Sequence, residues 1–124
     1  MAWTLNSDRP IYAQLVEKLK MQIVSGFYHP GDRLPSVREL AQEASVNPNT
    51  MQKAFSELEK SGLIITQRTS GRMVTEDLNM IKGIQLELAK ENIKIFLQNM
   101  KQLGYTEKEI VELIEEITKE GQDK

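Results

Sequence analysis

Apolar residues recur at helical spacing in five stretches, and the breaks between them fall where turn chemistry is concentrated. Ile11, Leu15, Leu19 and Ile23, widened by Tyr12 and Val16, mark one face of a helix running to about Ser25. Asp8 is its expected N-cap, Pro10 sits near its first turn, and Gly26 suits the left-handed position at its end. Val37, Leu40, Ala41 and Ala44 form a second stripe, opened by the capping-box pair Ser36 and Glu39. That helix must stop near Ala44, because Asn47-Pro48 follows and proline disfavours helical geometry in the residue before it. Pro48 nevertheless fits the first turn of a new helix, with Asn47 as N-cap. Met51, Ala54, Phe55 and Leu58 form its buried stripe, and Gly62 stops it.

Around these helices lie shorter pieces. Met1–Arg9, with Trp3 and Leu5, reads as an extended arm. Phe27–Pro35 reads as a constrained loop turning at Pro30-Gly31-Asp32. Leu63–Thr66 and Arg72–Thr75 are β-prone, and the polar segment Gln67–Gly71 between them predicts a two-stranded hairpin.

From Asn79 to Leu103 a long helical pattern carries two apolar faces. Ile81, Ile84, Leu88 and Ile95 lie on one; Leu86, Ala89, Ile93, Phe96, Leu97, Met100 and Leu103 lie on the other. Gly104 ends this helix, and Thr106 with Glu109 opens a last one bearing Ile110, Val111, Leu113, Ile114 and Ile117. A tail of about 45 residues cannot bury both stripes within itself, nor enclose more than a small interfacial pocket. Pairing with a second copy covers the surplus, while one stripe packing on the N-terminal part is the competing use. The expected pairing residues are Ile84, Leu88, Ile93, Phe96, Leu97, Met100, Ile110, Ile114 and Ile117.

The chemistry concentrates on the third helix. Opposite its apolar stripe stand Asn49, Thr50, Gln52, Lys53 and Ser56, short polar or basic groups able to hydrogen-bond base edges and phosphates. Two helices joined by a brief corner, the second presenting such a face, fit a helix-turn-helix; a helical hairpin with a solvated outer face fits as well. A hairpin directly after the pair makes the arrangement a winged helix-turn-helix. Arg68 and Arg72 flank the wing tip, placed for phosphate or a minor groove, or simply in a solvated turn. Arg33 projects from the preceding loop toward phosphate or an acidic partner. His29, the single histidine, has no ligand or nucleophile near it in sequence and reads as a loop residue.

Composition narrows the field. The chain has 124 residues, 40% of them hydrophobic, no cysteine and a net charge of −2. The missing thiols exclude disulfides and thiolate metal sites, and no phosphate loop or metal-ligand spacing points to an enzyme. No signal-peptide pattern or membrane-length apolar run is present, so a cytoplasmic protein is expected. The mild acidity belongs largely to the tail, whereas DNA binding needs only local basicity, here Arg33, Arg38, Lys53, Arg68 and Arg72.

The segments PGDRLPSVRELA and VNPNTMQKAFSELEKSGLI, followed by the Gly71-containing wing closing on Val74, resemble the DNA-binding domain of GntR-type transcription regulators over roughly Pro10–Val74. Asn47-Pro48-Asn49-Thr50 and the brief helical tail resemble the small YtrA-like branch. The resemblance implies a repressor, often of transporter operons. It assigns DNA contact to Arg38 and to the start of the third helix, namely Asn47, Asn49, Thr50 and Gln52, with Lys53 on the backbone. It also assigns contact to the wing through Arg68, Thr69, Ser70 and Gly71. Some relatives carry arginine where Pro48 and Gln52 stand, so amide readout of adenine by Asn49 or Gln52 is expected in place of guanine readout.

The expected fold is mainly α with a small β-hairpin: a winged helix-turn-helix domain over residues 1–77 and a two-helix dimerisation region over 78–124. The expected function is sequence-specific binding of an inverted-repeat operator by a homodimer, without cofactor or metal. A winged-helix protein–protein adaptor is the alternative.

Overall fold

The computed structural model describes residues 3–69 and 71–122; Ser70 of the expected wing contact lies outside them. The elements run α1 (Ile11–Val24), α2 (Val37–Ala44), α3 (Pro48–Ser61), β1 (Ile64–Gln67), β2 (Gly71–Val74), α4 (Leu78–Gln102) and α5 (Glu107–Gln122). The chain divides into two compact units, Met1–Gln85 and Leu86–Lys124, and α4 supplies residues to both.

Helix boundaries follow local chemistry. At α2 the Ser36 hydroxyl accepts from the Glu39 N–H at 3.0 Å, and the Glu39 carboxylate accepts from the Ser36 N–H at 3.4 Å. This closes the expected capping box. At α3 the Asn47 side chain accepts from the Asn49 N–H at 2.8 Å, Pro48 occupies the first turn, and Gly62 ends the helix at φ 85°. The corner between α2 and α3 turns on Ser45, the one described non-glycine residue with positive φ, at 58°. α5 opens with the Thr106–Glu109 box, at 3.2 and 2.9 Å.

The start of α1 departs from expectation. Asp8 is not its cap; Pro10 stands there, with no side-chain cap bond. Gln14 ties down the preceding turn instead. Its buried amide accepts from the Asn6 N–H at 2.7 Å and donates to the Asn6 and Arg9 carbonyls at 2.7 and 3.1 Å. This seals the arm, whose Trp3 and Leu5 pack on the core, and leaves the buried amide fully partnered.

Three helices meet around one core. Leu15, Leu19 and Ile23 of α1, Leu40, Ala41 and Ala44 of α2, and Met51, Ala54, Phe55 and Leu58 of α3 are buried there with Leu34, Leu63, Ile64 and Val74. The hairpin pairs Ile64 with Val74 through Gln67 with Gly71, each strand shifted one residue toward the turn from its expected span. The loop before α2 also joins this sheet. Arg33 bridges Met73, the Gly31 N–H donates to the Val74 carbonyl at 3.0 Å, the Val74 N–H donates to the Asp32 carbonyl at 2.9 Å, and the Leu34 N–H donates to the Arg72 carbonyl at 2.8 Å. β2 is therefore flanked on both edges, which holds the wing to the body of the domain.

The first turns of α4 belong to this unit. Ile81 and Ile84 pack on the core, the Met80 methyl lies against Gly62, and Gln85 Nε2 donates to the Val24 carbonyl at 3.3 Å. Ile84, expected at a dimer interface, is thus partly covered within its own chain. Ile110, expected there too, is fully buried. Of the other expected pairing residues, Leu88, Leu97 and Met100 are half-buried, as is Leu113, whereas Leu86, Ile93, Ile95, Phe96, Leu103, Val111, Ile114 and Ile117 are each at least 41% exposed.

Candidate nucleic-acid interface

α3 is sharply two-sided. Met51, Ala54, Phe55 and Leu58 are each 0% exposed. Asn49, Gln52 and Lys53 lie open to solvent, and Thr50 is half-buried. The burial fixes the rotation of the helix, so the polar face has one orientation. Asn47 stands at the head of this face, but its side-chain oxygen already holds the Asn49 N–H. The Asn49 side chain makes no hydrogen bond among the described residues.

The wing is braced against this helix. Arg72 Nε donates to Glu59 Oε1 at 2.7 Å, its guanidinium carbon stands 5.1 Å from the Phe55 ring centroid, and its Nη2 donates to Gln52 Oε1 at 3.4 Å. The Arg72 hydrogen bond is the largest cause holding the Glu59 carboxyl below the usual carboxylate range; burial opposes it, while a Thr66 hydrogen bond and the Arg72 charge add to it. Gln52, Ser56 and Glu59 lie on one ridge of α3 at i, i+4 and i+7, and Arg72 spans it. Lys53 Nζ stands 3.8 Å from the Tyr12 ring centroid, which links α3 to α1 while the ammonium stays exposed.

The other expected contacts fall into two groups. Arg38, exposed on α2, pairs with no acid among the described residues, and Arg68 and Thr69 are exposed at the wing tip. Gly71 has φ 75°, a left-handed conformation that favours glycine. Arg33 lines a hollow of about 220 Å³ together with Ser36, Glu39, Gly71 and Arg72, where the loop, the start of α2 and the wing meet. Among the described residues there is no group of three or more His, Cys, Asp or Glu able to hold a metal ion. His29 serves the loop: its N–H donates to Asp32 Oδ2 at 2.7 Å.

Sequence reasoning did not single out Tyr12 or Glu59, the two groups that orient Lys53 and Arg72. Glu59 carries one signal in retrospect, since it shares the ridge of Gln52. Tyr12 carries none, because its contact depends on how α1 crosses α3.

The family model described as bacterial regulatory proteins, gntR family, matches residues 11–74. The chain is 37% identical over 114 residues to the HTH-type transcriptional repressor YtrA of Bacillus subtilis (strain 168), covering 90% of this chain and 87% of that protein. A GntR family transcriptional regulator from Listeria monocytogenes has a similar structure, with a TM-score of 0.82 and 38% identity over 90% of this chain and 98% of the other. AraR(DBD), solved in complex with operator ORX1, aligns with a TM-score of 0.55 and 26% identity over 60% of this chain and 95% of that one.

Proposed function

The chain belongs to the gntR family of bacterial regulatory proteins, and from that premise we propose that it is a repressor that binds an inverted-repeat operator as a homodimer. The observation that carries this reading is the two-sidedness of α3. Its apolar stripe is fully buried, and Asn49, Gln52 and Lys53 stand open beside a braced wing. The head of a helix with a fixed rotation can enter a major groove and offer these side chains to base edges. Asn49 is the adenine reader, free to donate and accept at once. Arg38, Lys53 and Arg68 hold phosphates. Arg33, at the mouth of the hollow beside α2, neutralises the backbone there.

Homodimer formation draws support from the open apolar residues of α4 and α5. A stripe of this kind on a lone chain is an association surface. Two copies would set two recognition helices roughly 34 Å apart, one turn of the duplex.

A mobility-shift titration against duplexes selected from a random pool, repeated at rising salt, tests the proposal. Affinity that falls steeply with salt and depends on sequence is expected. A chain that ignores duplex DNA even in dilute buffer overturns it in favour of a protein-binding adaptor.

A further inference from the structure

We propose that Glu59 is a positioning residue for DNA binding: its carboxylate gathers both strands of the wing onto α3, so that an acid beside the nucleic-acid face raises operator affinity. This role rests on the DNA-binding reading above. Thr66 of β1 and Arg72 of β2 stand opposite each other in the hairpin register, and both reach the same carboxylate. Arg72 Nε donates to Glu59 Oε1 at 2.7 Å, and the Thr66 side chain hydrogen-bonds Glu59 as well. One group in the last turn of α3 therefore holds one rung of the wing through both of its strands.

The other attachments of the wing lead elsewhere. Main-chain bonds tie β2 to the loop before α2 through Asp32 and Leu34, and Ile64 and Val74 anchor the base of the hairpin in the core. The Thr66–Arg72 rung lies next to the tip pair Gln67–Gly71, beside the exposed Arg68 and Thr69. Holding this rung to α3 sets where the tip stands relative to the recognition helix. A two-stranded hairpin is marginal on its own, so without the brace only a fraction of molecules present Arg68 where it meets DNA, and apparent affinity falls by that fraction. Bare electrostatics predicts the opposite sign: a carboxylate near DNA repels phosphate, and deleting it strengthens binding. Glu59 also matches the charge of Arg72, which leaves Arg68 as the unpaired cation of the wing among the described residues.

The test is a mobility-shift titration at several salt concentrations, with an operator selected from a randomised pool by the full chain. Glu59→Gln should bind about fivefold more weakly, the scale of one such brace, although a negative charge has been removed. Glu59→Asp keeps the charge but is one methylene shorter, and should lose affinity too. In both, the salt slope should stay at the wild-type value, because no phosphate contact is lost, whereas Arg68→Ala should reduce it by about 1. In an Arg68→Ala background, Glu59→Gln should cost little further, because the wing no longer has its cation to deliver. Thr66→Val, at an exposed position, removes the other hydrogen bond and should show the same coupling to Arg68 on a smaller scale. It decides the matter if Glu59→Gln fails to fold.

Tighter binding by Glu59→Gln, or a steeper salt slope, overturns the proposal: the acid then only repels DNA or withholds Arg72 from phosphate. An equal loss with and without Arg68 also overturns it, since the effect then lies in α3 itself. A wild type that retains no duplex overturns the DNA-binding reading. One that binds its operator as Glu59→Gln does overturns only the role of Glu59.

Discussion

Arg72 Nε lies 2.7 Å from Glu59 Oε1, joining the second wing strand to the last turn of α3 across thirteen residues of chain. Both side chains are largely shielded, at 25% and 32% exposure, and the guanidinium packs toward Phe55. A winged helix needs its wing in a fixed place relative to its recognition helix, and this pair is a direct connection between them.

The first prediction follows from the charge of that pair. The folded protein holds the Glu59 carboxyl below its ordinary range, with Arg72 the leading cause. A carboxyl depressed in the folded state stabilises above its unfolded pKa, and that contribution disappears as pH falls through the folded value. Glu59→Gln should lower stability by about 1 kcal/mol at neutral pH, the scale of a partly shielded pair. Urea denaturation should show the gap between wild type and variant closing as the medium is acidified below the carboxylate range. An unchanged gap at low pH would mean that the loss comes from packing.

The second prediction concerns the helix-turn-helix corner. Ser45 has φ 58°, with its N–H bonded to the Gln42 carbonyl at 3.2 Å. A left-handed conformation costs a residue with a Cβ about 1–2 kcal/mol, and glycine avoids this at some expense in unfolded-state entropy. Ser45→Gly should therefore raise the melting temperature, with a net gain of about 0.5–1 kcal/mol. Ser45→Val should lower it, because a β-branched side chain fits this region worst.

These features separate what the sequence announces from what it conceals. Ser36 with Glu39, Thr106 with Glu109, and Asn47 before Pro48 are legible because partners within three residues fix their geometry. The stripe from Met51 to Leu58 is legible because helical spacing repeats. The Arg33–Met73 bridge is not, since three residues of backbone pairing carry no periodic pattern. The Arg72–Glu59 contact is not, since arginine at a wing reads equally as a phosphate ligand until the helix beside it is seen. Ile84 and Ile110 fall on apolar faces like their neighbours, and only packing separates the covered ones from Ile93 and Ile114, which remain open.

The third prediction tests the Gln14 bracket. This amide is 3% exposed and satisfies two backbone groups of Asn6 and one of Arg9. Gln14→Leu keeps the bulk but strands these groups next to an apolar side chain, at a cost of about 1–3 kcal/mol. The arm should then open, and limited proteolysis before α1 should quicken relative to wild type. Equal cleavage rates would show that Trp3 and Leu5 hold the arm by themselves.

The fourth prediction addresses Arg38, which is exposed on α2 and meets no acid among the described residues. Because nothing in the fold depends on its charge, Arg38→Ala should melt at the wild-type temperature. Operator affinity should nevertheless weaken, by about 1–3 kcal/mol if one good contact is lost. The same loss on every sequence, with a salt slope smaller by about 1, marks a phosphate contact; a loss confined to the operator marks base readout. Undiminished affinity of the folded variant would remove Arg38 from the interface.

The last prediction tests the proposed homodimer. Ile93, Phe96 and Ile114 are 56%, 41% and 44% exposed. A charge placed on a surface that only solvent touches changes little, whereas a charge placed in an apolar interface between copies is left without water or partner. Phe96→Asp and Ile114→Asp should therefore convert a two-chain species to a one-chain species in light scattering while the N-terminal unit keeps its melting transition. Affinity for a single half-site should survive the change, and affinity for the full inverted repeat should drop toward it, because the second site no longer benefits from the first. A wild-type chain that scatters as one copy at every concentration would instead require that the exposed stripe be covered by something other than itself.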